Sequence, residues 1–451
     1  MKFLLSSIHI AALLTNNVES FTATSVSKSK KISNVKKSNR HNTILLSSKC
    51  NDDNNDSFSS FSSSSSSSAS SMNRRNALSL LTASTAVSSS YPFVSNAIEG
   101  EEVITTTTAV ERLAVPTIQL GNSPLKVSRT IQGYWQLAGG HGKYKIDDAI
   151  QNMESHYKAG ITTLDTADIY GPSEQIMGKF IEKTPSAIPC TKFCCFRYLD
   201  EIDRDEVRAR IKKACERLKV DKLPLVQFFW SNYDIKRYVD VALMLTELKE
   251  EGLIGEIGAT NFDLIRLKEL KAAGVPIVSH QVQLSCLDQR PVQSGMTDWC
   301  AENDISVIAF GTVGSGILSE KYLGRGPPVQ EEKNTTSMRM YSNTAERFGS
   351  WTLVQELLST MDAVASDVRS SGRCDKVNIS NIAQRYVLDT KSVASVLIGV
   401  RNSNHIEENV RTHSFDLTSG ERDAISAVIA KRKGPSGDVW DLERGNLPGK
   451  K

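Results

Sequence analysis

Eight short apolar or β-branched runs, at 129–133, 161–164, 187–192, 223–229, 254–259, 277–282, 305–310 and 395–398, alternate with stretches of helical spacing. Strict alternation of this kind demands a parallel sheet, because consecutive parallel strands need a long crossover and a helix is the usual one. The helices are legible by periodicity: Val207, Ile211, Cys215 and Leu218 recur at helical intervals, as do Val241, Leu245 and Leu248, leaving Lys and Glu on the opposite faces. Gly160, Gly252 and Gly274 follow helical runs directly, where a left-handed cap favours a residue without Cβ. Eight such units predict an α/β chain built as a (β/α)8 TIM barrel, a fold that normally takes about 250 residues. A doubly wound sheet is the alternative, weakened by the lack of a GxGxxG after the first run. Before the first unit, TIQLGNSPLKV reads as a β-hairpin about Gly121-Asn122. The barrel is expected over 115–433, closing with an extra helix, and 434–451 form a C-terminal tail.

The first hundred residues are different in kind. They contain 28 serines, ten of the 54 Lys+Arg and five of the 51 Asp+Glu, so 44 bases and 46 acids remain downstream. That near-neutral body argues against a nucleic-acid partner. No run reaches the 18 or so apolar residues of a membrane-spanning helix, so no membrane anchor is expected in the mature form. Residues 1–20 have the outline of a signal peptide, with Lys2, an apolar stretch and Ser20 at the cleavage point. Residues 21–71 are rich in Ser, Lys and Asn and too polar to bury a core, so disorder is expected there. Arg74-Arg75, ahead of Ala77 to Leu81 and Ser95-Asn96-Ala97, reads over 72–98 either as a twin-arginine thylakoid signal or as the basic end of a transit peptide. The series resembles the bipartite presequences of algal secondary plastids, with Phe21 opening the transit part. That resemblance implies a plastid location, in stroma or thylakoid lumen.

The eight cysteines follow no CxxC spacing, so neither a disulfide framework nor a metal site is expected. Cys194-Cys195, close to Lys192, reads either as a redox-sensitive thiol or as ordinary buried strand-end cysteine. In a barrel the functional residues belong where strands end, since the βα loops build the active face. The second run ends in Leu164-Asp165-Thr166-Ala167-Asp168-Ile169-Tyr170-Gly171 and the third in Thr191-Lys192, which brings Asp, Tyr and Lys to one rim. Singly, each has an ordinary reading: a helix cap, a packed ring, a solvated cation.

The segments LDTADIYGPSEQIMGKFI, TKF, EEGLIGEIGATNF, SHQVQLS, IAFGTVGSGIL and VLIGVRNSNHIEENV, in that order, resemble the aldo-keto reductase family from about 117 to 416. GPSGDVWDLERG beyond them resembles a tail found in one plant, algal and bacterial branch. The resemblance implies NADPH-dependent reduction of a small-molecule aldehyde or ketone. It assigns Tyr170 as general acid, Lys192 as the cation lowering its pKa and Asp165 as the partner of Lys192. Where the family has a catalytic histidine, the run VQFFW places Phe229, which offers no hydrogen bond. Three readings stay open: a slower reductase with altered preference, a reductase borrowing a donor such as His141, and a redox-sensing or regulatory nicotinamide-binding protein with little turnover. His141 reads otherwise as a flexible surface residue. If the pocket has kept room for an imidazole, Phe229→His raises turnover.

By the same resemblance Thr260, Asn261 and Gln281 hold the nicotinamide carboxamide and Phe310 stacks on the ring. Gly311, Gly314 and Gly316 lie along the pyrophosphate, Arg401 and His405 take the 2′-phosphate of NADP(H), and Glu408 and Asn409 the adenine. Gly133, Tyr134 and Trp135 are expected at the cofactor and substrate mouth, and Trp135, Phe229 and Trp230 make the pocket aromatic. The long stretch 318–350 reads as a loop, either a lid over the cofactor or surface ornament. A barrel glycosidase would need two carboxylates flanking a sugar site, which this set of residues does not supply.

Overall fold

The computed structural model describes residues 115–444. The leader segments assigned above to 1–98, and the last residues of the tail, lie outside them. A two-stranded antiparallel hairpin, β1 (Thr117–Gln119) and β2 (Lys126–Ser128), precedes eight parallel strands. These are β3 (Thr130–Gly133), β4 (Thr163–Asp165), β5 (Ile188–Cys195), β6 (Leu223–Trp230), β7 (Ile254–Thr260), β8 (Ile277–Gln283), β9 (Ser306–Phe310) and β10 (Val393–Gly399). They pair in chain order, and β10 closes the ring between β9 and β3. The closed sheet excludes the doubly wound alternative. Each of the eight runs read from the sequence is a barrel strand, and Gly160, Gly252 and Gly274 take the left-handed conformation expected of caps.

The hairpin seals one end. Leu120 and Val127 are fully buried against Ile131, Cys190, Leu225, Val278, Ile308 and Ala394, apolar side chains from the lower halves of the strands. Its turn is longer than the Gly-Asn dipeptide implied, with Leu120 and Leu125 bonded across it (2.9 Å). Gly121 is required there, because a Cβ would stand 2.2 Å from the Asp304 carbonyl oxygen and φ is +50°. With the lower end plugged, the open face lies at the carboxyl ends of the strands, where Asp165, Cys195, Trp230, Thr260, Gln283 and Phe310 terminate them.

The stretch 318–350 is not a structureless loop. After a short 3-10 turn (Glu320–Tyr322) it forms the helix Thr336–Phe348, capped by the Thr335 hydroxyl. Met338, Tyr341, Ala345 and Phe348 on one face are buried in a second apolar cluster, together with the helices Trp351–Ser370, Ile379–Leu388 and the expected extra helix, Ser419–Ile429. The segment also reaches across the open face: Thr336 N–H donates to the Gly140 carbonyl (3.0 Å), in the loop after β3.

Candidate active site

Four barrel strands place one polar side chain each at the centre of the open face. The Lys192 ammonium donates to Asp165 Oδ2 (2.5 Å) and to the Thr166 carbonyl (2.8 Å). The other carboxylate oxygen, Oδ1, accepts from Gln227 Nε2 (2.7 Å) and Gln281 Nε2 (2.8 Å). All four side chains are buried, so the ion pair is shielded from water and fully hydrogen-bonded, the condition under which a buried pair is tolerated. Strand register explains the convergence: Lys192 lies level with Gln227 across β5 and β6. Gln227, which sequence reasoning passed over, is thereby part of the cluster.

Tyr170 enters from the loop after β4. Its N–H bonds to the Ala167 carbonyl (3.0 Å), Gly171 turns the chain at φ +55°, and Asp168 ties the loop down by accepting from Arg210 (2.6 Å) and from the Cys194 N–H (3.3 Å). The Lys192 ammonium lies 5.2 Å from the centre of the Tyr170 ring. Burial pushes the Tyr170 phenol up to about 12, with Lys192 only partly offsetting it and Asp165 adding to the rise. Lys192 thus acts on the phenol in the expected, lowering direction, but burial outweighs it. On Lys192 itself burial opposes the charge, yet Asp165 and Tyr170 overcome this and hold the ammonium above its usual range. Cys194 and Cys195 are buried and their thiols are pushed up by that burial, Cys195 to about 12, which favours the reading of ordinary buried strand-end cysteines.

Phe229 is level with Cys194 and is packed on two sides by aromatic rings. Phe196 lies tilted against it at 5.0 Å between centroids, and Trp440 meets it edge-on at 5.1 Å. Trp440 belongs to the C-terminal tail, which folds back over the open face. Its Asp438 caps the helix Leu264–Ala272 by accepting from the Leu264 N–H (2.8 Å), and Glu443 forms a double hydrogen bond with Arg290 (2.8 and 3.0 Å). The position of the missing histidine is therefore filled and walled. We expect Phe229→His to give no gain in turnover and to lower stability by about 1–3 kcal/mol, through lost ring contacts and an imidazole buried without a partner. Urea unfolding and kcat check this; a kcat above wild type would show that room for an imidazole persists.

His141 is not a flexible surface residue. It is 3% exposed, its ring meets Trp135 at 4.9 Å, Nδ1 lies 2.8 Å from the Gly139 carbonyl and Nε2 2.7 Å from the Ser337 hydroxyl. Both nitrogens are committed to the clasp between the β3 loop and the helix Thr336–Phe348, so the borrowed-donor reading loses its donor. Tyr134 also departs from expectation: it is buried in the core with its hydroxyl donating to Gln132 Oε1 (2.5 Å), while Gly133 and Trp135 on either side line the cleft. Trp230 turns inward too, its Nε1–H shared by the Asn232 and Ile235 carbonyls. The aromatic wall is made instead by Trp135, Phe196, Phe229 and Trp440.

From this centre a cleft of about 990 Å³ runs past the ends of β7 to β10. That is the upper end of the roughly 300–1,000 Å³ typical of small-molecule sites. Thr260, Asn261, Gln281, Phe310, Gly311, Gly316, Arg401, His405, Glu408 and Asn409 all line it. Gly314 does not; it faces Leu287 and Ile317 beneath. Gly311 has a second reason to be glycine, since a Cβ would stand 2.6 Å from the Tyr341 ring. Three lining side chains carry buried acceptors with no partner among the described residues: Gln136 Oε1 just after β3, Asn261 Oδ1 near the reacting centre and Gln384 Oε1 beside Asn409. At the far end Arg401 has no ion-pair partner among the described residues, while His405 and Glu408 pair with each other (2.7 Å). Orphaned acceptors, glycine backbone and a free guanidinium fit a dinucleotide with a phosphate at its far end.

The profile of the aldo/keto reductase family matches residues 130–430. The chain is 25% identical to the chloroplastic pyridoxal reductase of Arabidopsis thaliana over 342 residues, covering 71% of this chain and 87% of that protein. It is 22% identical to the NADH-specific methylglyoxal reductase of Escherichia coli over 328 residues, covering 67% and 95%. Among solved structures, the glycerol dehydrogenase of Gluconobacter oxydans superposes with a TM-score of 0.60 at 21% identity, over 71% of this chain and 97% of that one.

Proposed function

The chain belongs to the aldo/keto reductase family, an NAD(P)H-dependent class of carbonyl oxidoreductases, and we propose that it reduces an aldehyde or ketone with NADPH, Tyr170 serving as general acid. The observation that carries this reading is the buried Lys192–Asp165 pair with the half-buried Tyr170 beside it, at the edge of a cleft that fits a dinucleotide. The bound nicotinamide would supply a hydride. Asn261 and Gln281 would hold its carboxamide, Phe310 its ring face, and the backbone of Gly311 and Gly316 its pyrophosphate.

The protein's own part is proton delivery and orientation. Burial keeps the proton on the Tyr170 phenol near neutral pH, and the adjacent ammonium stabilises the phenolate once that proton has gone to the forming alkoxide. With Phe229 in place, no side chain at the histidine position polarises the carbonyl. The substrate is oriented by the aromatic wall, which favours an apolar or aromatic carbonyl compound. The test is NADPH consumption by the body from residue 99 onward against aldehydes, ketones and quinones, with Tyr170→Phe as control.

A second reading, a nicotinamide-binding regulatory protein, is favoured by the filled histidine position alone. Tight dinucleotide binding with no Tyr170-dependent turnover on any substrate would select it.

Preference for NADPH rests on Arg401, because a guanidinium pairs bidentately with a phosphate. Replacing Arg401 by alanine should weaken NADPH binding by roughly tenfold and leave NADH binding unchanged. Fluorescence titration with both dinucleotides decides it, and equal losses for the two would remove Arg401 from the 2′-phosphate site.

A further inference from the structure

Arg444 is a cation buried without an anion. It is 4% exposed and forms no ion pair among the described residues; Asp263 and Asp441 act on it only from beyond ion-pair distance. Burying a guanidinium unpaired is costly, and burial holds it below its ordinary value. What it has instead is a set of neutral acceptors: the Trp230 carbonyl, the Tyr233 hydroxyl (2.9 Å) and the Asn261 carbonyl (2.7 Å). The Tyr233 ring lies 4.0 Å beneath it. Two of these acceptors close strands of the barrel, Trp230 ending β6 and Asn261 following β7.

Asn261 is the informative partner. It adopts φ +55°, a left-handed conformation uncommon outside glycine, and both of its backbone polar groups are clamped, the N–H by the Gln281 carbonyl (3.0 Å) and the carbonyl by Arg444. Its side-chain oxygen is buried, lines the cleft and has no partner among the described residues. A strained backbone held from both sides, with an acceptor left over for a ligand, marks a preorganised contact.

We propose that Arg444 is a positioning residue for the nicotinamide site: it fixes the peptide at Asn261 so that Oδ1 is presented to the carboxamide, and so couples docking of the C-terminal tail to dinucleotide binding. The inference rests on the reading of the cleft as a dinucleotide site. Arg444 itself does not line the cleft and touches no reacting atom. The coupling runs through one short segment, because Trp440, four residues earlier, forms the carbonyl pocket wall against Phe229. A tail that lifts would open the substrate pocket and relax the carboxamide contact together.

The full body carrying Arg444→Met, Arg444→Lys or Trp440→Leu separates the two effects. Arg444→Met should weaken NADPH and NADH by the same factor, roughly tenfold, because the carboxamide is common to both. It should also speed amide hydrogen exchange over 260–263 in the protein without dinucleotide. Arg444→Lys, which keeps the charge with fewer donors, should fall between wild type and Arg444→Met in both readings. Trp440→Leu should raise KM for an aromatic aldehyde and leave dinucleotide affinity as it was. Folded Arg444 variants with wild-type affinity and wild-type exchange overturn the inference, and if Arg444→Met does not fold, Arg444→Lys decides alone. If the wild type binds neither dinucleotide, the proposed function fails, and exchange at 260–263 still decides whether Arg444 orders Asn261.

Discussion

Replacing Tyr170 by phenylalanine is expected to lower carbonyl reduction by about a hundred- to ten-thousandfold while dinucleotide affinity and fold stay intact. The ring remains to fill the space beside Lys192, and only the hydroxyl is lost. The loss falls on kcat rather than on cofactor binding because the proton moves only as the alkoxide forms. The pH profile supplies an independent check. Burial raises the phenol to about 12, so the protonated acid persists as pH rises past the ordinary tyrosine value near 10, and its supply falls only as pH approaches the raised value. Reduction should therefore show no basic limb from this group between neutrality and about pH 10. A limb below that range, still present after correcting for substrate ionisation, would assign proton donation to another group. Retained turnover in Tyr170→Phe would reject Tyr170 as the acid outright.

What could be read from the chain alone was what depends on local pattern. The barrel strands are continuous apolar runs bounded by helices of regular spacing, so their existence and order followed from periodicity. Asp165 and Lys192 lie at strand ends, and Tyr170 lies on the loop five residues after Asp165, so a barrel brings them together without further information. The helix Thr336–Phe348 had its signal too, in Met338, Tyr341, Ala345 and Phe348 at helical intervals. The glycines and prolines at 324–328 and the polar residues after them drew attention to loop instead. Side-chain direction next to the cleft was less accessible. Gly133, Tyr134 and Trp135 are neighbours, yet only the outer two line the cleft, because the hydroxyl of Tyr134 is committed to Gln132 within the core. The tail was least legible. Trp440, Glu443 and Arg444 act on residues such as Phe229, Arg290 and Trp230, which is 214 positions from Arg444, and no short motif encodes a contact of that separation. The tail also turns through Trp440 at φ +62°, a conformation that a bulky residue rarely takes and that sequence reading would not assign to it.

Breaking the central ion pair is the second large effect. Lys192→Met leaves the Asp165 carboxylate buried with only the two glutamine amides, and Asp165→Asn leaves the ammonium with the Thr166 carbonyl as its remaining hydrogen bond. Each single change is expected to cost about 3–5 kcal/mol of stability, the usual loss when one member of a buried pair is left behind. The double variant Asp165→Asn/Lys192→Met should cost clearly less than the two singles added, because no net charge stays buried, and the difference is the coupling energy of the pair. Turnover should behave otherwise. Both singles and the double should be severely impaired, since Lys192→Met removes the cation beside Tyr170 and Asp165→Asn removes the carboxylate that holds that cation charged and in place against burial. Urea unfolding and steady-state rates on the same four proteins therefore separate two reasons for keeping a buried pair. Recovery of stability in the double variant without recovery of turnover places the pair in the service of Tyr170; recovery of both would mean that it serves the fold alone.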